Sequence, residues 1–277
     1  MRLTHLALLG LYAAGAYIGV KSRPVLPFND TDFAPEHPTP VLYVHGFTSA
    51  TNTFTVNAEY LRSHGYWTWG YDYGTTERHS LAASIPVLHG FGDLNDLVQE
   101  LGENVEKVKA ATGADKVDIV AHSQGGLLTK LYIAGGGANN IRRVVAIGAN
   151  FHGTDIGGLA ERVIPFIQRR PGIAEAVAST SALQQLAGSP FLEEIADLPD
   201  TDPRVVYTSI YTPADRTVTP NSSSILDSID GADVINIDLE KAYPGFAPVI
   251  HSLLPRDPNV AELTRWGLER EAGSESD

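Results

Sequence analysis

The sequence predicts an α/β fold: a mostly parallel central sheet with helices on both faces. Three observations carry that expectation. Strand-like and helix-like segments alternate from Pro40 onward. Several strand segments are apolar and β-branched throughout, as strands covered on both faces require. The chain's 277 residues, 43% hydrophobic and 19% charged, suffice for one large core.

Taken in order, residues 1–20, "MRLTHLALLGLYAAGAYIGV", carry one arginine, an apolar run from Leu6 to Val20 and the small residues Ala14-Gly15-Ala16. That is the pattern of a secretory signal peptide, and the run also approaches the length of a membrane anchor. Residues 21–39 are rich in proline and polar side chains and read as an extended leader on the surface. Residues 40–270 then form one domain without internal repeats. "PVLYVHG" is a strand, "NAEYLRSHG" a helix stopped at Gly65, and "YWTWGYDY" a second strand. "DLNDLVQELGENVEKVKAATG" is a long amphipathic helix ending at Gly113. "KVDIVAH" is a strand, "GGLLTKLYIAG" a helix and "RRVVAIGAN" a strand. Residues 158–198 contain no strand and read as a helical cap or lid, holding "LAERVIPFIQRR" and "SALQQLAGSPFLEEIADL". "PRVVYTSIYT" and "ADVINIDL" return to strands, "NVAELTRWGLER" is the last helix, and residues 271–277 read as a disordered tail.

Composition narrows the chemistry. A formal net charge of −13 argues against a nucleic-acid partner or an anionic membrane surface. With no cysteine there is no disulfide, thiolate zinc site or cysteine nucleophile. His45 has no histidine or carboxylate at a helpful spacing, so neither a metal nor any other cofactor is expected. No obligate protein partner is evident.

Within "KVDIVAHSQGG", Ala121-His122-Ser123-Gln124-Gly125 is a G-x-S-x-G elbow with alanine in the first glycine's place. Small neighbours let a serine sit on a sharp turn between a strand and a helix, and both elements are predicted here. A serine hydroxyl needs a base, and in sheets of the α/β-hydrolase type the order is serine, acid, histidine. Only His152 and His251 follow Ser123. His152 comes too early to leave room for an acid on a later strand, so His251 is the candidate base. Among the intervening carboxylates, Asp215 lies just past a strand's C-terminal end, where sites of open α/β sheets gather. Asp238 follows the next strand and is the runner-up, whereas Asp202 precedes its strand. The oxyanion of a tetrahedral intermediate needs two backbone donors, for which Gln124 and, in the "VHGF" loop, Phe47 are placed.

On these residues the chain resembles the class 2 triacylglycerol lipases, a family of secreted bacterial α/β-hydrolases. "VLYVHGF", "KVDIVAHSQGG", "YTSIYTPADRTVTP" and "IHSLLPRDPNV" look like family blocks in family order, from Pro40 to the C-terminus. "QQLAGSPF" resembles a segment of the actinobacterial branch. The resemblance implies Ser123 as nucleophile, Asp215 as acid, His251 as base and Phe47 and Gln124 as oxyanion donors. Two departures stand out: several relatives carry disulfides, and "PVIHSLL" replaces the more usual glycine-rich surround of the histidine.

The expected reaction is ester hydrolysis through an acyl-enzyme, on acylglycerols at a lipid–water interface. Depolymerisation of a polyhydroxyalkanoate and hydrolysis of short soluble esters are alternatives, and a non-catalytic binding protein on the same fold is a remote one. Apolar residues on one face of "LAERVIPFIQ" would suit a lid over an acyl pocket, and a fixed cap would use them equally. The loop "TTERHSLAASIPVLHGF" offers Ile85, Val87, Leu88 and Phe91 either as an apolar rim or as core filling.

Overall fold

The computed structural model describes residues 27–75, 87–169 and 179–274. Six strands form one sheet: β1 (Val41–Val44), β2 (Thr68–Gly70), β3 (Val117–His122), β4 (Ile141–Ile147), β5 (Val206–Tyr211) and β6 (Asp233–Asp238). Their order is β2-β1-β3-β4-β5-β6, and every neighbouring pair is parallel. The chain steps from β1 to β2 on one side and then back across β1 to β3. The strand order therefore reverses between β1 and β3, and loops leaving their C-terminal ends flank a crevice.

Alternation along the strands divides the core into two layers. Leu42, Val44, Ile119 and Ala121 face one layer, packed with α2 (Leu94–Thr112) and α3 (Gln124–Ala134). Val41, Tyr43 and Val120 face the other, with α1 (Thr55–Ser63) and α8 (Pro258–Glu269). In α2, Leu94, Leu97, Leu101, Val105 and Val108 are buried, a spacing of three and four that lines one helical face. Its ends are written locally: the Asp93 side chain accepts from the Asn95 N–H, and Gly113 closes it at φ 73°. Asp257 and Pro258 start α8 in the same manner. A buried amide ties one layer together, with Tyr43 Oη donating to Asn57 Oδ1 at 2.8 Å and Asn57 Nδ2 to Thr264 Oγ1 at 3.0 Å.

The second predicted strand is shorter than its apolar pattern, with only Thr68–Gly70 paired to β1. Asn29 lies on the other side of β2. Its main-chain N–H donates to Thr68 O at 3.0 Å, its Nδ2 donates to Gly70 O at 2.9 Å, and its Oδ1 accepts from Gly70 N at 3.0 Å. The Phe28 ring meets Tyr43 edge-on, and His37 stacks on Tyr66 with centroids 3.8 Å apart. At the other end, the Gly273 N–H donates to the Asp233 carboxylate, which also pairs with Arg270 at 2.6 Å.

Between β4 and β5 lie α4 (Ala160–Arg169), α5 (Thr180–Gln184) and α6 (Pro190–Glu194), and no strand is present among the described residues there. Leu239–Ala242, α7, follows β6. Among the described residues no helix is long and apolar enough to cross a membrane. The stretch read as a signal peptide or anchor lies outside them, as do residues 76–86, 170–178 and 275–277.

Candidate active site

Ser123 stands between β3 and α3 with φ 54° and ψ −124°, a backbone conformation that costs a non-glycine residue of order 1–3 kcal/mol. Close packing around the turn holds it there. A Cβ on Gly125 would lie 2.2 Å from Val44 O, and one on Gly126 would lie 2.3 Å from the Ala149 Cβ. Glycine is thus required where α3 is pressed into the sheet. Gly46, in the loop after β1, would place a Cβ 2.9 Å from Ser123 Cβ, so this loop passes directly over the serine.

His251 Nε2 lies 3.0 Å from Ser123 Oγ, and His251 Nδ1 lies 2.7 Å from Asp215 Oδ2. An ionised carboxylate only accepts, so Nδ1 carries the proton and Nε2 presents its lone pair to the hydroxyl. The second Asp215 oxygen accepts from the N–H groups of Thr217 and Val218, at 2.7 and 2.9 Å. The loop after β5 therefore fixes the carboxylate before the histidine meets it. Asp215 is buried and His251 nearly so, which keeps water from competing for these bonds.

Two neighbours of this array went unread in the sequence. Gly148 ends β4 at φ 52°, and a Cβ there would sit 2.8 Å from Leu254 Cδ1 and 3.4 Å from His251 Nδ1. His122 donates from Nε2 to the His251 carbonyl at 3.1 Å, with the two ring centroids 4.6 Å apart. Burial, then the adjacent His251, pushes the His122 imidazole well below its ordinary value. It is neutral, and its Nδ1 has no partner among the described atoms.

The other side of Ser123 is formed by the loop after β1 and by Gln124. His45 is fully buried, stacks on Tyr73 at 4.1 Å and is lowered by that burial to about 4. Tyr73 Oη donates to His45 O at 2.6 Å, and the Phe47 ring meets Phe91 edge-on. The Gln124 side chain points inward: Nε2 donates to Gly90 O at 2.9 Å, and Oε1 accepts from Gln185 Nε2 at 2.7 Å. Gln185 comes from the stretch read as a cap. The only signal available in the sequence was its place in "QQLAGSPF".

The remaining candidates lie elsewhere. His152 pairs with Asp200 at 2.9 Å, Asp202 with Arg204 at 2.6 Å, and Asp238 caps α7 while pairing with Lys241 at 3.3 Å. Of the suggested apolar rim, Leu88 and Phe91 are buried and fill the core, Val87 is exposed, and Ile85 lies outside the described residues. A different apolar rim leads into His251, where Phe246, Ile250 and Leu253 are 65%, 54% and 47% exposed.

Comparison with known proteins agrees with this arrangement of elements. A model of the family described as Lipase (class 2) matches residues 38–235. A triacylglycerol lipase of Burkholderia plantarii is 29% identical over 155 residues, 55% of this chain and 40% of that protein. The chain thus matches about two fifths of that relative's length. Among solved structures, Aspergillus fumigatus lipase B superposes with a TM-score of 0.68 at 19% identity, over 87% of this chain and 55% of that one. An alpha/beta hydrolase fold protein from Chitinophaga pinensis gives 0.56 at 14% identity, over 86% and 91%. These similarities establish the fold as that of the α/β-hydrolases.

Proposed function

Because the chain belongs to the class 2 lipase family, we propose that it is a serine ester hydrolase, specifically a triacylglycerol lipase working through an acyl-enzyme on Ser123. The observation that carries this reading is the continuous path from Asp215 through His251 to Ser123, at 2.7 and 3.0 Å. In the reaction, His251 Nε2 takes the Ser123 proton as Oγ attacks the ester carbonyl. The backbone N–H groups of Phe47 and Gln124 stabilise the oxyanion, and Asp215 stabilises the imidazolium. His251 then protonates the departing alcohol. Water, deprotonated by the same imidazole, releases the acid.

A lipid substrate is favoured by the rim beside His251. From Tyr243 to Pro255 the chain carries no Asp, Glu, Lys or Arg, and Phe246, Ile250 and Leu253 point into solvent. A strongly acidic protein gains nothing from an anionic surface, so an uncharged ester phase suits this patch. Residues 1–20 would direct such an enzyme out of the cell or hold it at a membrane, and residues 158–198 would cap the acyl site.

The test is hydrolysis of p-nitrophenyl esters of increasing chain length and of emulsified triacylglycerol, alongside fluorophosphonate labelling. Wild type is expected to label at Ser123 and to act on the emulsion. Ser123→Ala is expected to do neither, with kcat reduced by about 10⁴-fold or more. Activity confined to short soluble esters would make it a carboxylesterase, and turnover of a polyhydroxyalkanoate film alone a depolymerase. An unlabelled, inert wild type would point to a binding protein.

A further inference from the structure

Gln124 does more than lend its backbone N–H. Its side chain is fully buried, and each polar atom is engaged. Nε2 donates to Gly90 O at 2.9 Å and lies 3.3 Å from Tyr73 Oη, while Oε1 accepts from Gln185 Nε2 at 2.7 Å. The orientation is forced by chemistry. Gly90 O can only accept, so the Gln124 amide must turn its NH₂ that way and its oxygen toward Gln185. Gln185 must then present its own NH₂, which also reaches Ser181 O at 2.9 Å, and its oxygen accepts from Asn150 Nδ2 at 2.8 Å.

The Gln124–Gly90 bond, at one end of this chain, lies at the proposed oxyanion site. Gln124 starts α3 immediately after the nucleophile. A Cβ on Gly90 would lie 3.1 Å from both Gly46 O and Phe47 Cα, so the Gly90 peptide is packed on the second donor's loop. Tyr73 Oη holds that loop again through His45 O at 2.6 Å, and Ser181 Oγ donates to Gly90 O at 3.0 Å. One buried amide thereby spans the two donors, and its orientation is set from α5 and the residue that follows it.

Resting on the hydrolase reading above, we propose that Gln185 is a positioning residue for the oxyanion site, acting through the Gln124 side chain. Burial agrees: Ser179, Ser181, Gln185, Leu186 and Ser189 are all buried.

Gln184, next along the chain, supplies the control. Its Nε2 donates to Asp93 Oδ2 and its Oε1 accepts from Leu94 N, both at 2.8 Å, so it fastens the same segment to α2 without touching Gln124. The experiment compares wild type, Gln185→Leu and Gln184→Leu on a soluble ester and on its thionoester, whose sulfur is a poor acceptor in an oxyanion site. Gln185→Leu is expected to lower kcat on the ester by about 10- to 100-fold, a fraction of the loss from deleting a donor outright. KM should stay within about twofold and the thionoester rate should change little, so the ester-to-thionoester ratio falls, whereas Gln184→Leu should keep the wild-type ratio. Should Gln185→Leu not fold, Gln185→Glu preserves the size, sets an acceptor against Gln124 Oε1 and should lower the ratio as well. An unchanged ratio in the Gln185 variants, or an equal fall in Gln184→Leu, overturns the proposal while leaving the hydrolase reading intact. A wild type that cleaves no ester overturns both.

Discussion

Asp215 uses its two oxygens for separate duties, and that division makes a sharp prediction. Oδ1 receives two backbone N–H groups, so it must remain an oxygen, while Oδ2 receives His251 Nδ1. In Asp215→Asn the same two N–H groups hold the amide oxygen, which leaves the NH₂ facing the ring. Histidine must then adopt the other tautomer, with its proton on Nε2 and nothing to accept from Ser123. The fold is expected to survive, with kcat on a soluble ester down by about 10⁴-fold and KM little changed. A stopped assay with matched circular dichroism spectra checks it. A fall of less than tenfold would mean the carboxylate does not set the tautomer.

At the scale of elements, the decisive contact is α3 against β1. The alanine at position 121 replaces the first elbow glycine without difficulty, but Gly125 has no such latitude. An added methyl would meet two backbone carbonyl oxygens, Val44 O at 2.2 Å and His45 O at 2.7 Å, and backbone cannot step aside as a side chain can. Gly125→Ala is expected to cost about 3 kcal/mol or more and to move Ser123 with the helix. Gly113→Ala, with open space around it but φ at 73°, should cost only about 1 kcal/mol. Urea unfolding of the two variants measures the difference. This contrast also explains what could be read from the sequence. The elbow, the caps of α2 and the start of α8 are written within a few residues, so the local string specifies them. The pairing of Gln185 with Gln124 joins positions 61 apart through side chains that are ordinary on any polar surface helix. Likewise the apolar residues Leu88 and Phe91 look the same in a sequence whether they line a mouth or fill a core. The aromatic pattern overruns the end of β2 because Tyr73, in the loop beyond the last paired residue, is buried as a strand residue would be.

For the molecule as a whole, the reversal of strand order between β1 and β3 sets where chemistry happens, and two buried neutral histidines set how it tolerates acid. His45 is held at about 4 and His122 well below its ordinary value, chiefly by burial. In the unfolded chain each titrates near 6.5, so below that pH the unfolded state binds more protons and is favoured. The contribution of these two histidines to stability is therefore full above about pH 6.5 and declines as the pH falls toward 4, with His45 alone accounting for up to about 3 kcal/mol of that loss. Urea midpoints between pH 7.5 and 4.5, compared with those of His45→Gln, test this: the variant should show the shallower slope even if it is weaker at neutral pH.

The margin of the sheet at β2 has a different consequence. Asn29 offers Gly70 both halves of its side-chain amide, as a neighbouring peptide group would, and then the chain turns away. What the rim presents at Gly70 is a side-chain counterfeit of one rung. A stray strand from another copy finds the Gly70 N–H and carbonyl already taken, so edge-to-edge pairing is blocked at that position of β2.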